Sequence, residues 1–214
     1  ELDRMSRLVD DIDLLAAVEG DQYALGVVHV GELTARVGEL VMVIPSHEWS
    51  VTGSGVGVVE ADADRLVQAW LQLADNASKY TPPGSAIEIG SAVDARGAAR
   101  LWVQDHGPGI APAQRENIFR RFDRAGARRT VGGSGLGLAI VDAIARAHDG
   151  TCRVTDTPGG GATFTIHLPP PSVLMRPQSA VATAADAPPA SKMQKRETDA
   201  TAEPRTRAEM KVRS

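Results

Sequence analysis

A chain of 214 residues with 43% apolar side chains suffices for one sizeable domain and short appendages. Its net charge of −4 is uneven: the stretch from Pro169 onward holds eight Lys/Arg and five Asp/Glu, leaving −7 on the first 168 residues, and an acidic body argues against broad nucleic-acid binding. The single cysteine, Cys152, excludes an internal disulfide framework and a Cys/His metal cluster, and no apolar run nears the roughly 18 residues of a membrane span. Aromatic residues make up 4% of the chain, so the core must come from Ala, Val, Leu and Ile, and the 21 glycines make loops the place to look for function. No signal-peptide pattern opens the chain, and a lone thiol suits a reducing compartment. The polypeptide is expected to be soluble as it stands. Its start at Glu1 reads as a piece of something longer, with room for a membrane anchor upstream.

Residues 1–19 predict a helix, with Leu2, Met5, Leu8, Val9, Ile12, Leu15 and Ala16 at spacings of three and four and Gly20-Asp21 ending it. Its apolar face serves equally for a partner or for its own domain. Val27, Val28 and Val30 suggest a strand, Leu33 to Val43 a helix, and Trp49 to Thr52 a strand turning at Gly53-Ser54-Gly55. After a short strand from Val56 to Glu60, Asp62 caps a helix with Leu66, Trp70, Leu73, Ala74 and Ala77 on one face, stopped at Thr81-Pro82-Pro83-Gly84. Strands from Ala86 to Val93 and Ala99 to Asp105 follow, joined at Ala95-Arg96-Gly97. A short helix near Ala113 to Phe122, a loose Arg- and Gly-rich stretch and a helix from Gly137 to His148 come next. Strands from Thr151 to Thr155 and Gly161 to Leu168 close the chain as a hairpin. Hairpin-paired strands with separate helices predict a two-layer α/β sandwich with a mixed sheet. Residues 169–214, rich in Ala, Pro, Ser, Thr and charge, read as a disordered tail.

Three segments carry candidate chemistry. Asp105-His106-Gly107-Pro108-Gly109 ends a strand: an ionised Asp only accepts hydrogen bonds, which suits the exocyclic amino group of adenine, and glycines let backbone approach a flat ring. Taken alone it is equally an Asp/Gly turn. Gly132-Gly133-Ser134-Gly135-Leu136-Gly137-Leu138 runs into a helix, where successive amides seat phosphate oxygens, or it is a hinge. Arg128-Arg129-Thr130 precedes it where a dinucleotide-binding fold needs a buried strand, and no GxxxxGK followed by Ser or Thr occurs. Asn76 and Lys79 share a helix face: an amide oxygen suits Mg²⁺ and an ammonium suits phosphate, although a plain solvated helix end has the same residues.

In the order Asn76-x-x-Lys79-Tyr80, Asp105-x-Gly107-x-Gly109, Ile118-Phe119-Arg120-Arg121-Phe122, Gly133-x-Gly135-Leu136-Gly137-Leu138, these segments resemble the N, G1, F and G2 boxes of the histidine-kinase ATPase domain. The resemblance covers about Val30 to Pro169. It implies the Bergerat-type fold of the GHKL superfamily, shared with gyrase, Hsp90 and MutL ATPases, with ATP and Mg²⁺ as cofactors. By the resemblance Asn76 binds Mg²⁺, Lys79 reaches phosphate, and these two are the candidate catalytic residues. Tyr80 lines the nucleotide, Asp105 reads adenine, and Gly107, Gly109 and Ile110 line the ring. Gly133, Ser134, Gly135, Leu136, Gly137 and Leu138 cradle phosphate, and Phe122 and Thr163 complete the set. Residues 123–132 correspond to a mobile lid. Residues 1–20 resemble the end of a second dimerisation helix, leaving 21–168 as the catalytic domain.

The implied activity is transfer of the ATP γ-phosphoryl to a histidine on a dimerisation helix outside this chain, for relay to a response regulator. Partners are then that phosphoacceptor domain and the regulator, with no nucleic acid, and a homodimer only where the full dimerisation domain is present. The expected location is the cytoplasm, free or as the cytosolic part of a membrane-anchored sensor. The sequence departs from the family pattern at Gln72, where Asn, Glu or His usually begins the N box, and at Asp123, where an aromatic is common. Ser46-His47-Glu48 imitates a phosphoacceptor motif, yet Pro45 before it and the strand-like residues after it deny it a helix. Two rival readings are a stand-alone GHKL ATPase, disfavoured by the GLGL spacing, the F box and the leading helix, and a non-catalytic ATP-sensing or scaffold module, kept open by Gln72 and the absent phosphoacceptor histidine.

Overall fold

The computed structural model describes residues 23–121 and 134–172, with Asp13, Ala16 and Gly20. All belong to one of the chain's two compact units, Glu1–Arg176. Of the expected leading helix only Asp13 and Ala16, both helical, are among them. The expected lid at 123–132, Phe122, Gly133 and residues 173–214 lie outside the described residues.

Strand β1 (Gly26–His29) leads directly into helix α1 (Val30–Val41), then β2 (Glu48–Gly53), β3 (Val58–Ala61) and helix α2 (Ala63–Tyr80). Next come β4 (Ala86–Val93), β5 (Ala99–Asp105), helix α3 (Gly137–Ala147), β6 (Thr151–Asp156) and β7 (Ala162–Leu168). β1 and β3 form a small antiparallel pair, and the main sheet has five strands in the order β2-β4-β5-β7-β6. β2 runs parallel to β4 while the other neighbours are antiparallel, so the sheet is mixed as expected.

Helix α1 begins at Val30, three residues before the expected Leu33. Val30 is β-branched and follows two valines, hence the strand expectation, but Val30, Leu33, Val37 and Val41 form one buried helical stripe and packing overrides propensity. Asp62 caps α2: Oδ1 accepts from the amides of Asp64 and Arg65 at 3.1 Å each, and Oδ2 from Ala24 at 2.9 Å. The buried face of α2 carries Leu66, Val67, Trp70, Leu73, Ala74 and Ala77, and its alanines admit α3 closely. Trp70 is fully buried and its Nε1 donates to the Trp102 carbonyl at 3.0 Å, so the polar edge of the ring is satisfied. Truncating it to Ala would cost on the order of 3–5 kcal/mol. Thr81-Pro82-Pro83 ends α2 because proline cannot continue the ladder.

The helix expected over Ala113–Phe122 is instead a pair of 3-10 turns, Pro112–Gln114 and Asn117–Phe119. Only Ile118 of these turns is buried, so no apolar stripe rewards a full helix. The body also runs past the expected boundary at 168. Pro170 and Pro171 lie beside Gly97, and Ser172 Oγ donates to Glu60 at 2.6 Å.

The helices cover one face of the sheet, where Ile87, Ile89, Leu101, Val103, Phe164 and Ile166 are buried. On the other face Trp102 lies over Gly90 and Gly53, where a Cβ would come within 2.4 and 2.8 Å of its ring. α2 and α3 are pinned together at the end remote from the glycine turn by His148, which is 5% exposed. Its Nε2 accepts from Asp62 N at 2.9 Å, which leaves Nδ1 to donate to the Ile144 carbonyl at 2.7 Å. Among the described residues no helix is long and apolar enough to cross a membrane.

Candidate nucleotide-binding site

Asp105 is the last residue of β5 and 5% exposed. Oδ1 accepts from the Gly107 amide at 2.9 Å and from the Ala162 amide at 3.2 Å, and among the described residues no hydrogen bond goes to Oδ2. Burial pushes the carboxyl above the usual carboxylate range, against the opposing pull of those two amides. The result is an oriented, desolvated acceptor at a strand end, the chemistry required for an amino group on a flat ring.

The surrounding backbone leaves no room for side chains. A Cβ on Gly107 would lie 2.9 Å from the Tyr80 carbonyl oxygen, at the end of α2. Gly109 has φ +72°, and a Cβ there would sit 3.1 Å from the Gly161 oxygen. Gly161, at φ +113°, would drive a Cβ to 2.0 Å from the Asp105 oxygen. Sequence reasoning missed Gly161 and Ala162 as site residues. The run Gly159-Gly160-Gly161 was a usable signal, but it reads equally as a hairpin turn.

At the other end of the site Gly135 has φ +74° and Ser134 Oγ accepts from the Leu136 amide at 3.1 Å, shaping a turn that opens α3 at Gly137. A Cβ on Gly137 would come within 2.7 Å of Gln72 Oε1, so the turn lies directly against α2. One helical turn along from Gln72 stands Asn76, half-buried, and Lys79 Nζ pairs with the Asp75 carboxylate on the same helix. Tyr80 is 38% exposed beside the loop at 107. Ile110 and Leu138 are half-buried against the core, and Leu136 is itself a core residue whose side chain is 1% exposed.

The fold thus gathers Asn76, Lys79 and Tyr80 of α2, the loop from Asp105 to Ile110 and the turn from Ser134 to Leu138. Thr163 does not join them. Ala162 and Phe164 face the helices, alternation turns Thr163 to the opposite side of the sheet, and its Oγ1 meets Thr157 Oγ1 at 2.9 Å. His47 lies in a bend before β2, with Nε2 3.2 Å from the Thr81 carbonyl and Nδ1 3.3 Å from Ser78 Oγ.

The family model for histidine kinase-, DNA gyrase B-, and HSP90-like ATPases matches residues 61–172, more than half of the chain. The chain belongs to this ATPase family. Its relatives include the sensor-like histidine kinase SenX3 of Mycobacterium tuberculosis (strain ATCC 25618 / H37Rv), 49% identical over 115 residues, covering 52% of this chain and 27% of SenX3. The solved structure of the mycobacterial sensor histidine kinase MprB is 35% identical with TM-score 0.61, covering 68% of this chain and 99% of that one. Full-length ShkA in complex with AMPPNP is 32% identical with TM-score 0.65, covering 76% of this chain and 35% of that one. The matched region is therefore an ATP-binding domain of the sensor histidine kinase type within the ATPase family, and the chain spans about a quarter of the length of SenX3.

Proposed function

We propose that this chain transfers the γ-phosphoryl of Mg-ATP to a histidine imidazole presented by a dimerisation helix, from which it passes to an aspartate of a response regulator. The observation that carries the reading is the buried Asp105 carboxylate, held by two amides beside the end of α2, with the glycine turn that opens α3 packed against the same helix at Gln72. Asp105 accepts from the adenine amino group, Gly107 and Gly109 admit the ring, and the turn at Ser134–Gly137 offers amides and a helix N-terminus to phosphate. Lys79 exchanges Asp75 for phosphate oxygens.

The Asn76 amide oxygen is the donor suited to Mg²⁺. The cation would be held by Asn76, the ATP phosphates and water. It would neutralise phosphate charge as the bond from the γ-phosphorus to the bridging oxygen breaks and a P–N bond forms. The chain's own part is positioning and charge compensation, and the base that assists the imidazole belongs with the histidine-bearing helix.

All five histidines of the chain are placed unsuitably for accepting phosphate as a helix-borne imidazole. His29 ends β1, His47 is in a bend, His106 in a loop, His148 buried and His167 in β7. Incubated alone with labelled Mg-ATP, the chain binds nucleotide and gains no acid-labile phosphate. A histidine-bearing dimerisation fragment added to the mixture becomes labelled. Labelling of His47 in the isolated chain, or ATP binding with no labelling of any dimerisation fragment, overturns the proposal, the second in favour of a non-catalytic ATP sensor.

A further inference from the structure

Arg115 lies between the two 3-10 turns and is itself part of none of the motifs that the sequence marks. Its Nε donates to the Ile110 carbonyl at 3.0 Å and its Nη2 to Asp156 Oδ1 at 2.5 Å, with the side chain 24% exposed. Ile110 closes the loop that begins at Asp105. Asp156 ends β6, opposite Ala162 in the β6–β7 register. One guanidinium therefore joins the two segments whose amides, Gly107 N and Ala162 N, hold Asp105 Oδ1. Between those segments backbone meets backbone at Gly109 and Gly161, and the Asp105 carboxylate reaches across to the Ala162 amide. The groove that Arg115 shares with Phe119, Asp142, Arg146 and the edge of β6 has its other clamp paired internally, Arg146 with Asp142 at 2.8 Å. The arrangement is one of bracing.

We propose that Arg115 is a positioning residue for adenine recognition, fixing the spacing between the loop at 105–110 and the hairpin at 156–162 so that both amides point at Asp105. A planar guanidinium suits this task because one side chain donates in two fixed directions, which an ammonium on a flexible stem does not reproduce. The inference rests on the reading of Asp105 as the adenine acceptor.

The test measures binding of ATP and of ITP, which carries an oxygen where adenine has its amino group, to the full chain and its variants, with melting temperatures alongside. Arg115→Ala should weaken ATP binding by about threefold to tenfold, the scale of one partly exposed charge-assisted hydrogen bond. It should also reduce the preference for ATP over ITP. Asp156→Ala should do the same, the double variant should be no worse than either single one, and Arg115→Lys should recover part of the preference. Asp105→Asn separates the two claims: if that variant keeps wild-type ATP affinity, the adenine reading itself fails. If Asp105→Asn loses affinity while Arg115→Ala retains both affinity and preference, the positioning role is overturned. Equal losses for ATP and ITP accompanied by a lower melting temperature overturn it as well, in favour of a merely structural clamp.

Discussion

At Asp105 two requirements conflict. Burial favours the protonated carboxyl, yet the amides of Gly107 and Ala162 require an acceptor, as would the adenine amino group in the proposed reading. Asp105→Asn should cost about 1.5–3 kcal/mol of ATP affinity, the value of a hydrogen bond to a charged group, measured by titration. Because the folded-state pKa is raised, ATP affinity should begin to fall, on acidification, at a pH above the usual carboxylate range. For folding itself the sign is the reverse: the penalty for burying the ionised group is present at higher pH and relieved as pH drops below the unfolded value. Asn76→Ala should leave the fold intact, since the residue is only half-buried, while weakening the Mg²⁺-dependent part of ATP affinity. Titrations with and without Mg²⁺ check this, and an unchanged Mg²⁺ dependence contradicts the assigned role.

Helix α2 is the element that joins fold to site, because its start anchors the chain entering the domain and its end carries Asn76, Lys79 and Tyr80. The cap at Asp62 serves both neighbours, accepting from Asp64 and Arg65 within the helix and from Ala24 outside it. Burial pulls the Asp62 carboxyl upward, but the amides of Arg65, Ala24 and Asp64 outweigh it and hold the carboxyl below its ordinary value. Asp62→Ala should destabilise the domain by about 0.5–2 kcal/mol, read as a lower melting temperature. A depressed carboxylate contributes stability above the unfolded pKa and loses it as pH falls through the folded pKa. The gap between wild type and variant should therefore close in acid. The caps and stripes of α2 were legible in the sequence, whereas the 3-10 turns at 112–119 were not, since their only anchor is Ile118.

Across the whole molecule, Ser172 is bonded back to Glu60 on β3, and the family match ends at the same residue. We propose that a chain ending at Ser172 melts and binds ATP as the full chain does, while one ending at Leu168 melts lower. The shorter chain loses the Ser172–Glu60 bond and the prolines beside Gly97. Parallel melting and titration of the three chains test this, and equal melting of the two truncated forms would contradict it.

The sequence by itself determined the α/β class and the bounds of β4, β5 and nearly all of α2, because periodicity and capping are local properties, and it placed an acceptor, Asp105, at a strand end without fixing its role. Only the tertiary structure decided which distant residues close on that acceptor. Gly161 and Ala162 reach Asp105 through the β5–β7 pairing across more than fifty residues of chain, with the Ala162 amide bond spanning 57 positions. The same register, with side chains alternating along β7, takes Thr163 to the far face of the sheet. Register is set by which face of each strand is buried against the helices, and that is a property of the assembled layers rather than of any one segment.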